Sequence, residues 1–550
     1  MKNLLLCFLL LISGNSVSQN YKITYLKSSN GNLIENQDPI WVIASESQTI
    51  VTSQNIFTKK TPFPYEQTII DRNTNSFSQM AFLNNDNIIS TKDSTALAKQ
   101  TFEYLNDTKK ILGYNCKKAK TIVNSNTIEF WYTEALNVKG SPVLLGQNLG
   151  LVLEMVRNGN FVITATKAEK TNHLIVPIET PKKQVDGLTY KDLLWKSRFT
   201  TIPVFKDQII NFSEASKSND SIVRFANGTI AVRKVKFPEI KNGSQIFADI
   251  TEQSNGDAYD RTGSFFLIPT DKELSFLNGL QNGVKTLPIY TNGNGKEYQG
   301  VVSTENYNPL VEMMRFFTPF GVKQYNYLEL KNKTWADNVL YRQDISDLSS
   351  LLSGKEVWIG INIGNYDKGG HKVSANITIH TEEGTNAKPT QIVPLFCTNN
   401  IMEMAGQEYG TMFNNDKGLE VTFTLNKPMK NCKLRYITTG HGGWENGDEF
   451  VPKKNSIFLD GKEAFSFTPW RQDCGSYRLS NPASGNFPNG LSSSDYSRSN
   501  WCPGTVTNPI FIDLGNLEAG SHTLQVKIPQ GLPEGGSFSA WNISGVLIGE

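Results

Sequence analysis

Apolar residues at every second position constrain this chain more than any other feature. Leu419, Val421, Phe423 and Leu425 alternate with Glu420, Thr422 and Thr424. The spacing recurs at Val373, Ala375, Ile377 and Ile379, and again at Leu524, Val526 and Ile528. A period of two puts every apolar side chain on one face of an extended strand, whereas a helix would scatter them. Turn pairs that tolerate positive φ punctuate the runs: Asn227-Gly228, Asn242-Gly243, Asn292-Gly293, Asp460-Gly461 and Asn489-Gly490. Helical spacing is scarce, with Tyr190 to Ser197 the better case, around Leu193, Leu194 and Trp195. The chain is therefore read as all-β, antiparallel and sandwich-like.

At 550 residues it exceeds one core. We read a β-rich block over 19–175, a linker with a short helix over 176–201 (Pro177, Pro181, Lys182 and Lys183), and two further β blocks over 202–394 and 395–550. No period of 20 to 50 residues repeats, which disfavours solenoids and propellers. The last two blocks, packed side by side, would leave a ligand groove at their junction.

Residues 1–18 read as a signal peptide: Lys2 near the start, an apolar run from Leu4 to Ile12, and Ser16-Val17-Ser18 before Gln19. That run is too short for a transmembrane helix. An exported protein, periplasmic or secreted, is expected, with no membrane insertion. Net charge is +2 with 19 % charged residues, so neither nucleic acid nor an anionic membrane is an expected partner. Cys116, Cys397, Cys432, Cys474 and Cys502 remain after cleavage. Cys474 and Cys502 flank a loop-rich stretch (Asn481-Pro482, Gly485, Asn489-Gly490) that a disulfide would hold. Cys397 with Cys432 is a weaker pairing, and Cys116 is the candidate for the unpaired thiol.

Several chemistries are missing. There is no G-x-S-x-G and no H-E-x-x-H, and Gly295-Lys296 is followed by Glu297, which rules out a phosphate-binding P-loop. His173, His371, His380, His441 and His522 show no metal-ligand spacing. What remains is three glycine-rich or loop segments: Gly256 to Arg261, Gly440 to Phe450 and Arg498 to Gly504. They supply carboxylates, two arginines and aromatic rings, which suit acid/base work on a polar, sugar-bearing substrate. By residue type alone, Asp260, Arg261, Glu449 and Arg498 read more readily as solvated surface charges than as catalytic groups.

Their order resembles the peptide:N-glycosidase F family across roughly 202–550. Tyr259-Asp260-Arg261 matches the family's aromatic-Asp-Arg segment, Asp448-Glu449-Phe450 its acidic turn, and Arg498 to Gly504 its R-x-x-W-C-P-G. Arg315 to Phe320, which includes Phe317, and Leu351-Leu352-Ser353-Gly354 add further matches. The resemblance implies two adjacent jelly-roll domains. It places the catalytic carboxylates at Asp260 and Glu449, with Arg261 and Arg498 stabilising charge. Tyr259, Phe317, His441 and Trp501 would face substrate, with Tyr259 and His441 standing where the family carries tryptophan. A third acidic position falls near Asn362, a neutral amide. The first block resembles the GLPGLI family of exported proteins, through Cys116 to Ala119, Phe130 to Thr133 and Gly150 to Glu154. An extra N-terminal domain is also similar to the larger type of these amidases, associated with tolerance of core-fucosylated glycans.

The activity implied is hydrolysis of the amide joining the first N-acetylglucosamine to asparagine, on an N-linked glycopeptide or glycoprotein. No metal, nucleotide or flavin is expected, and the protein is expected to be a monomer. Two rivals stand beside it: an endo-acting glycoside hydrolase using the same carboxylates, and a non-catalytic glycan-binding or adhesion protein.

Overall fold

The computed structural model describes residues 20–173, 175, 179–321, 330–381, 391–399, 409–442, 447–482, 493–532 and 539–550. The expected signal peptide lies outside them, as do Pro177, Gly443 to Asn446, Gly485 and the Asn489-Gly490 turn. The chain divides into two compact units, Met1–Arg198 and Phe199–Glu550.

The first unit is built on one large, mostly antiparallel sheet. Its central strand, Asn20–Ser29, pairs with Ile40–Ala44 on one side and Phe161–Thr171 on the other. Late in the unit, Lys183–Gln184 returns parallel to Ile88–Asp93. The helix Gly187–Lys196 follows, capped by Asp186, which accepts from the Leu188 and Thr189 amides. Tyr190 is buried against Ala81, Leu83 and Ile89, and its hydroxyl donates to Glu66 at 2.8 Å. Within the segment read as a linker from sequence, Lys183–Gln184 and the helix Gly187–Lys196 therefore pack on this sheet.

The second unit contains two β-sandwiches. In the first, the sheet Thr200–Ile210, His371–His380, Gln245–Ser254, Val339–Asp344 faces a second sheet centred on Glu356–Ile363, Thr262–Ile268 and Val311–Phe317. In the second, Gln391–Cys397, Ala540–Gly549, Met429–His441, Ile510–Leu517 faces Leu419–Leu425, Gly520–Lys527, Asn455–Leu459, Lys462–Phe467. The fold is all-β, as the alternation predicts: Leu419, Val421, Phe423 and Leu425 are all buried. Asp460-Gly461, at φ +49° and +80°, closes the hairpin between Asn455–Leu459 and Lys462–Phe467. The expected boundary at 394/395 falls inside a strand, because Gln391–Cys397 pairs along Ala540–Gly549 in the second sandwich.

The Thr262–Ile268 strand lies between two cores. Phe265 and Leu267 pack with Ile250 and Ile377, while Phe266 and Ile268 share a cluster with Phe396 and Trp541. Burial on both faces explains its continuous apolar run, which a search for alternation passes over.

Buried charge fastens the two sandwiches together. Arg315 and Glu312, both fully buried on Val311–Phe317, form a two-pronged pair at 3.0 and 2.6 Å. Arg315 Nη1 also donates across the junction to the Asn542 carbonyl at 2.6 Å and the Thr439 hydroxyl at 3.1 Å. Glu312 accepts further hydrogen bonds from Ser264, Asn399 and Ser544. Arg435, from the second sandwich, donates back to the Glu312 and Met313 carbonyls. Charge tolerates burial here because its partners are satisfied.

Cys474 and Cys502 form a disulfide, whereas Cys116, Cys397 and Cys432 are free and buried. The weaker Cys397–Cys432 pairing does not form. Their strands flank Ala540–Gly549 on opposite sides, about 9–10 Å apart by strand spacing, beyond disulfide reach. Among the described residues no helix is long and apolar enough to cross a membrane.

Removing one partner of the junction pair should be costly. Arg315→Met is expected to destabilise the protein by about 3–5 kcal/mol, because Glu312 stays buried and uncompensated. Adding Glu312→Leu should recover part of that loss, read by urea unfolding of both variants.

Candidate active site

Asp260 lies in the loop between Gln245–Ser254 and Thr262–Ile268, on the first sandwich. Thr318, just past Val311–Phe317, pins that loop. Its hydroxyl donates to the Tyr259 carbonyl at 2.8 Å and accepts from the Arg261 amide at 2.7 Å, and its amide donates to the Arg261 carbonyl at 3.0 Å. Gly256 has φ +152° and no room for a side chain, since an added Cβ would stand 2.6 Å from Asp367 Oδ1.

Glu449 and Arg498 come from the second sandwich. Glu449 sits in the turn after Met429–His441, and its carbonyl accepts from the Ser499 amide at 2.9 Å. Arg498 exchanges two backbone hydrogen bonds with Arg471, at 2.8 and 3.0 Å. The Cys474–Cys502 disulfide closes the same segment over a sequence separation of 28, worth about 3–4 kcal/mol on a chain-entropy model.

These three residues meet. Arg498 Nη1 donates to Asp260 Oδ2 at 3.0 Å and to Glu449 Oε1 at 2.5 Å, so carboxylates from two sandwiches share one nitrogen. Nη2 is anchored on the Ser493 carbonyl at 2.7 Å. The guanidinium lies 4.3 Å from the Trp501 ring and 5.0 Å from Phe450. The Arg498 side chain is 1 % exposed, against 20 % for Asp260 and 18 % for Glu449. The cation is thus sealed in while each acid keeps a face open.

That burial sets the electrostatics. It pushes the Asp260 carboxyl above the usual range, opposed by Arg498. It raises Glu449 to about 7; Arg498 opposes that rise and the Asp260 charge adds to it. An acid near neutrality beside a second one is suited to moving a proton.

Arg261 is placed differently from the sequence expectation. Its guanidinium does not bond to Asp260. It pairs with Asp257, Nε to Oδ2 at 2.6 Å and Nη2 to Oδ1 at 3.2 Å. It also lies 4.8 Å from the Tyr259 ring and 6.0 Å from Tyr366, both rings exposed. Phe317 stacks on Trp501 at 4.3 Å, and Trp501 Nε1 donates to the Gly440 carbonyl at 2.9 Å. His441 packs beside both rings and shares a 2.7 Å hydrogen bond with Thr439. Burial, then the charges of Arg315 and Arg498, hold its pKa down at about 3, so the ring is neutral. Phe317, Trp501 and His441 therefore back the arginine. Asn362 is buried and donates to the Thr229 carbonyl at 3.1 Å, with no bond to the three charged groups. Sequence reasoning missed Phe450, Tyr366, His371 and the pairing role of Asp257. Asp257 and Phe450 lie within the segments Gly256 to Arg261 and Gly440 to Phe450, while Tyr366 and His371 carry no local signal.

Two acids from different sandwiches, held to one sealed arginine, make a pair able to move a proton at an open face. Comparison with known proteins agrees. Residues 23–192 match the family model described as N-glycanase peptide, N-terminal domain. Residues 201–379 and 408–548 match those described as Peptide-N-glycosidase F, N terminal and C terminal. The solved structure of PNGF-II in space group C2 is 58 % identical, with 97 % of this chain and 98 % of that one covered, at a TM-score of 0.91. The same protein in space group P21 gives 58 % identity, 97 % and 99 % coverage and a TM-score of 0.93. No curated protein matches the chain. The chain belongs to the peptide-N-glycosidase F family. Its first unit, read from sequence as GLPGLI-like, matches the N-glycanase N-terminal domain model.

The Glu449 carboxyl should titrate with a midpoint near 7, followed by 13C resonances of labelled glutamate and assigned with Glu449→Gln. Because Arg498 opposes the rise, Arg498→Gln should move that midpoint higher still. A midpoint near the ordinary 4.5 would contradict this electrostatic picture.

Proposed function

We propose that the chain is a peptide-N4-(N-acetyl-β-glucosaminyl)asparagine amidase that releases intact N-glycans, and that the Arg498-bridged carboxylates carry the reaction. The supporting observation is Arg498 Nη1 shared between Asp260 and Glu449. An amide is a poor electrophile, so water must be activated, charge on the carbonyl oxygen stabilised and the leaving nitrogen protonated.

In this reading Asp260 handles the proton of the attacking water. The new C–O bond forms as the C–N bond breaks, leaving aspartate in the peptide. The water's proton passes to the departing nitrogen, giving a glycosylamine that later loses ammonia. Glu449 positions water or substrate. Arg498 keeps the two acids in register and offsets their charge, and Arg261, turned toward Asp257, is placed to meet substrate between Tyr259 and Tyr366. We further propose that the mature protein is exported and acts as a monomer.

The products decide between this reading and its rivals. A defined glycopeptide incubated in heavy-oxygen water should yield labelled aspartate at the former attachment site by mass spectrometry. One sugar left on asparagine would make the protein an endoglycosidase, and binding without product would make it an adhesion module. Asp260→Asn should abolish release while melting like the parent; an active, folded variant would remove Asp260 from the mechanism.

A further inference from the structure

Behind Arg261 runs a line of buried charge that the reaction scheme leaves unused. His371, the first residue of His371–His380, is 1 % exposed. Its Nδ1 lies 2.8 Å from Glu252 Oε1 and its Nε2 3.3 Å from Asp257 Oδ2. A carboxylate oxygen accepts and cannot donate, and a neutral imidazole carries hydrogen on one nitrogen only. Asp257 already accepts from Arg261 through both oxygens, whereas the Tyr341 hydroxyl near Glu252 Oε2 gives its hydrogen to the Phe317 carbonyl at 2.8 Å. Asp257 therefore has no proton to offer Nε2, and the one proton between Nδ1 and Glu252 Oε1 rests on the imidazole, the stronger base. Both ring nitrogens must carry hydrogen, which makes His371 an imidazolium.

The result is a neutral four-membered chain, Glu252⁻–His371⁺–Asp257⁻–Arg261⁺. Glu252, His371 and Asp257 are all buried, and only Arg261, with a side chain 24 % exposed, reaches toward solvent. Without the central cation, Glu252 and Asp257 would confront each other with Arg261 as their shared counter-ion, drawing the guanidinium inward. Resting on the amidase reading for what is being positioned, we propose that His371 is a positioning residue. As a buried imidazolium it fixes Asp257, and through Asp257 aims Arg261 beside Asp260.

The titratable groups around the ring agree. Glu252 faces it from Gln245–Ser254 and Asp257 from the following loop, with Tyr341 of Val339–Asp344 behind Glu252 and Arg261 beyond Asp257. Against burial, which alone would lower it, hydrogen bonds donated to the two acids lift the ring to about 9. The cation is therefore present throughout the neutral range and is lost only as pH rises through that value. Hydrogen bonds from His371 and Arg261 likewise outweigh burial and hold Asp257 at about 2.

Nitrogen-15 NMR of the full chain tests the charge directly and independently of activity. From pH 6 to 8, both His371 ring nitrogens should stay protonated with imidazolium shifts, the signals being assigned by their loss in His371→Gln. A ring that titrates near 6.5, or one bare nitrogen at pH 7.5, overturns the proposal. Glycopeptide kinetics test the positioning. His371→Gln and Asp257→Asn should each lower kcat about 10- to 100-fold, the scale of a misplaced contact, and their combination should lose no more than the worse single change. Losses that multiply, or an unchanged kcat in folded His371→Gln, would refute it. Should His371→Gln fail to fold, Glu252→Gln keeps the ring's contacts while removing one charge. Its ring titration and the alkaline limb of kcat should both move down by a pH unit or more, and no movement in either counts against the proposal.

Discussion

Everything at the site depends on one guanidinium. Arg498 donates from a single nitrogen to carboxylates of two different sandwiches. Burial works against the ionised form of both acids, and the arginine offsets that without neutralising it. Its own placement is over-determined: the Trp501 ring on one side, the Ser493 carbonyl at Nη2, a backbone bridge to Arg471 and a disulfide four residues on. Asp260 arrives from the first sandwich while Glu449 and Arg498 arrive from the second. The assembled site therefore exists only when the two are docked. The Glu312–Arg315 pair, reaching Thr439 and Asn542, secures that docking.

The acids of the second unit differ in how fully their charge is satisfied. Glu312 is hydrogen-bonded through both oxygens, and Asp257 is held by Arg261 and His371. Both sit below the usual carboxylate range although buried. Asp260 and Glu449 share one nitrogen, keep a fifth of their surface open and lie above that range. A pair of acids raised above the ordinary range while open to water is a pattern that marks candidate functional sites.

Much of this was legible in the sequence, for definable reasons. Strands buried on one face announce themselves by alternation, as Leu419–Leu425 and His371–His380 do, and Asp460-Gly461 closes its hairpin by the turn chemistry its residues favour. Strands buried on both faces, such as Thr262–Ile268, lose that signature. Asp260, Glu449 and Arg498 were recoverable because each sits in a short distinctive segment. Arg261 was found but misdirected, because its partner Asp257 lies one helical-style turn back in a loop whose path sequence does not reveal. Glu252 and His371 are 119 residues apart, and only the pairing of Gln245–Ser254 with His371–His380 brings them together. Asn362 was counted toward the site by its position after Leu351 to Gly354, yet its amide is spent on the Thr229 carbonyl.

The central claim is that one buried arginine makes two half-buried acids into a working pair. Turnover of a defined N-glycopeptide by Arg498→Met, a substitution close in volume, measures it most directly. The account predicts a protein that still unfolds cooperatively and a kcat lower by about 10²- to 10³-fold or more, the scale for losing a preorganised charge contact. A folded Arg498→Met that releases glycan within a few-fold of the parent would contradict it.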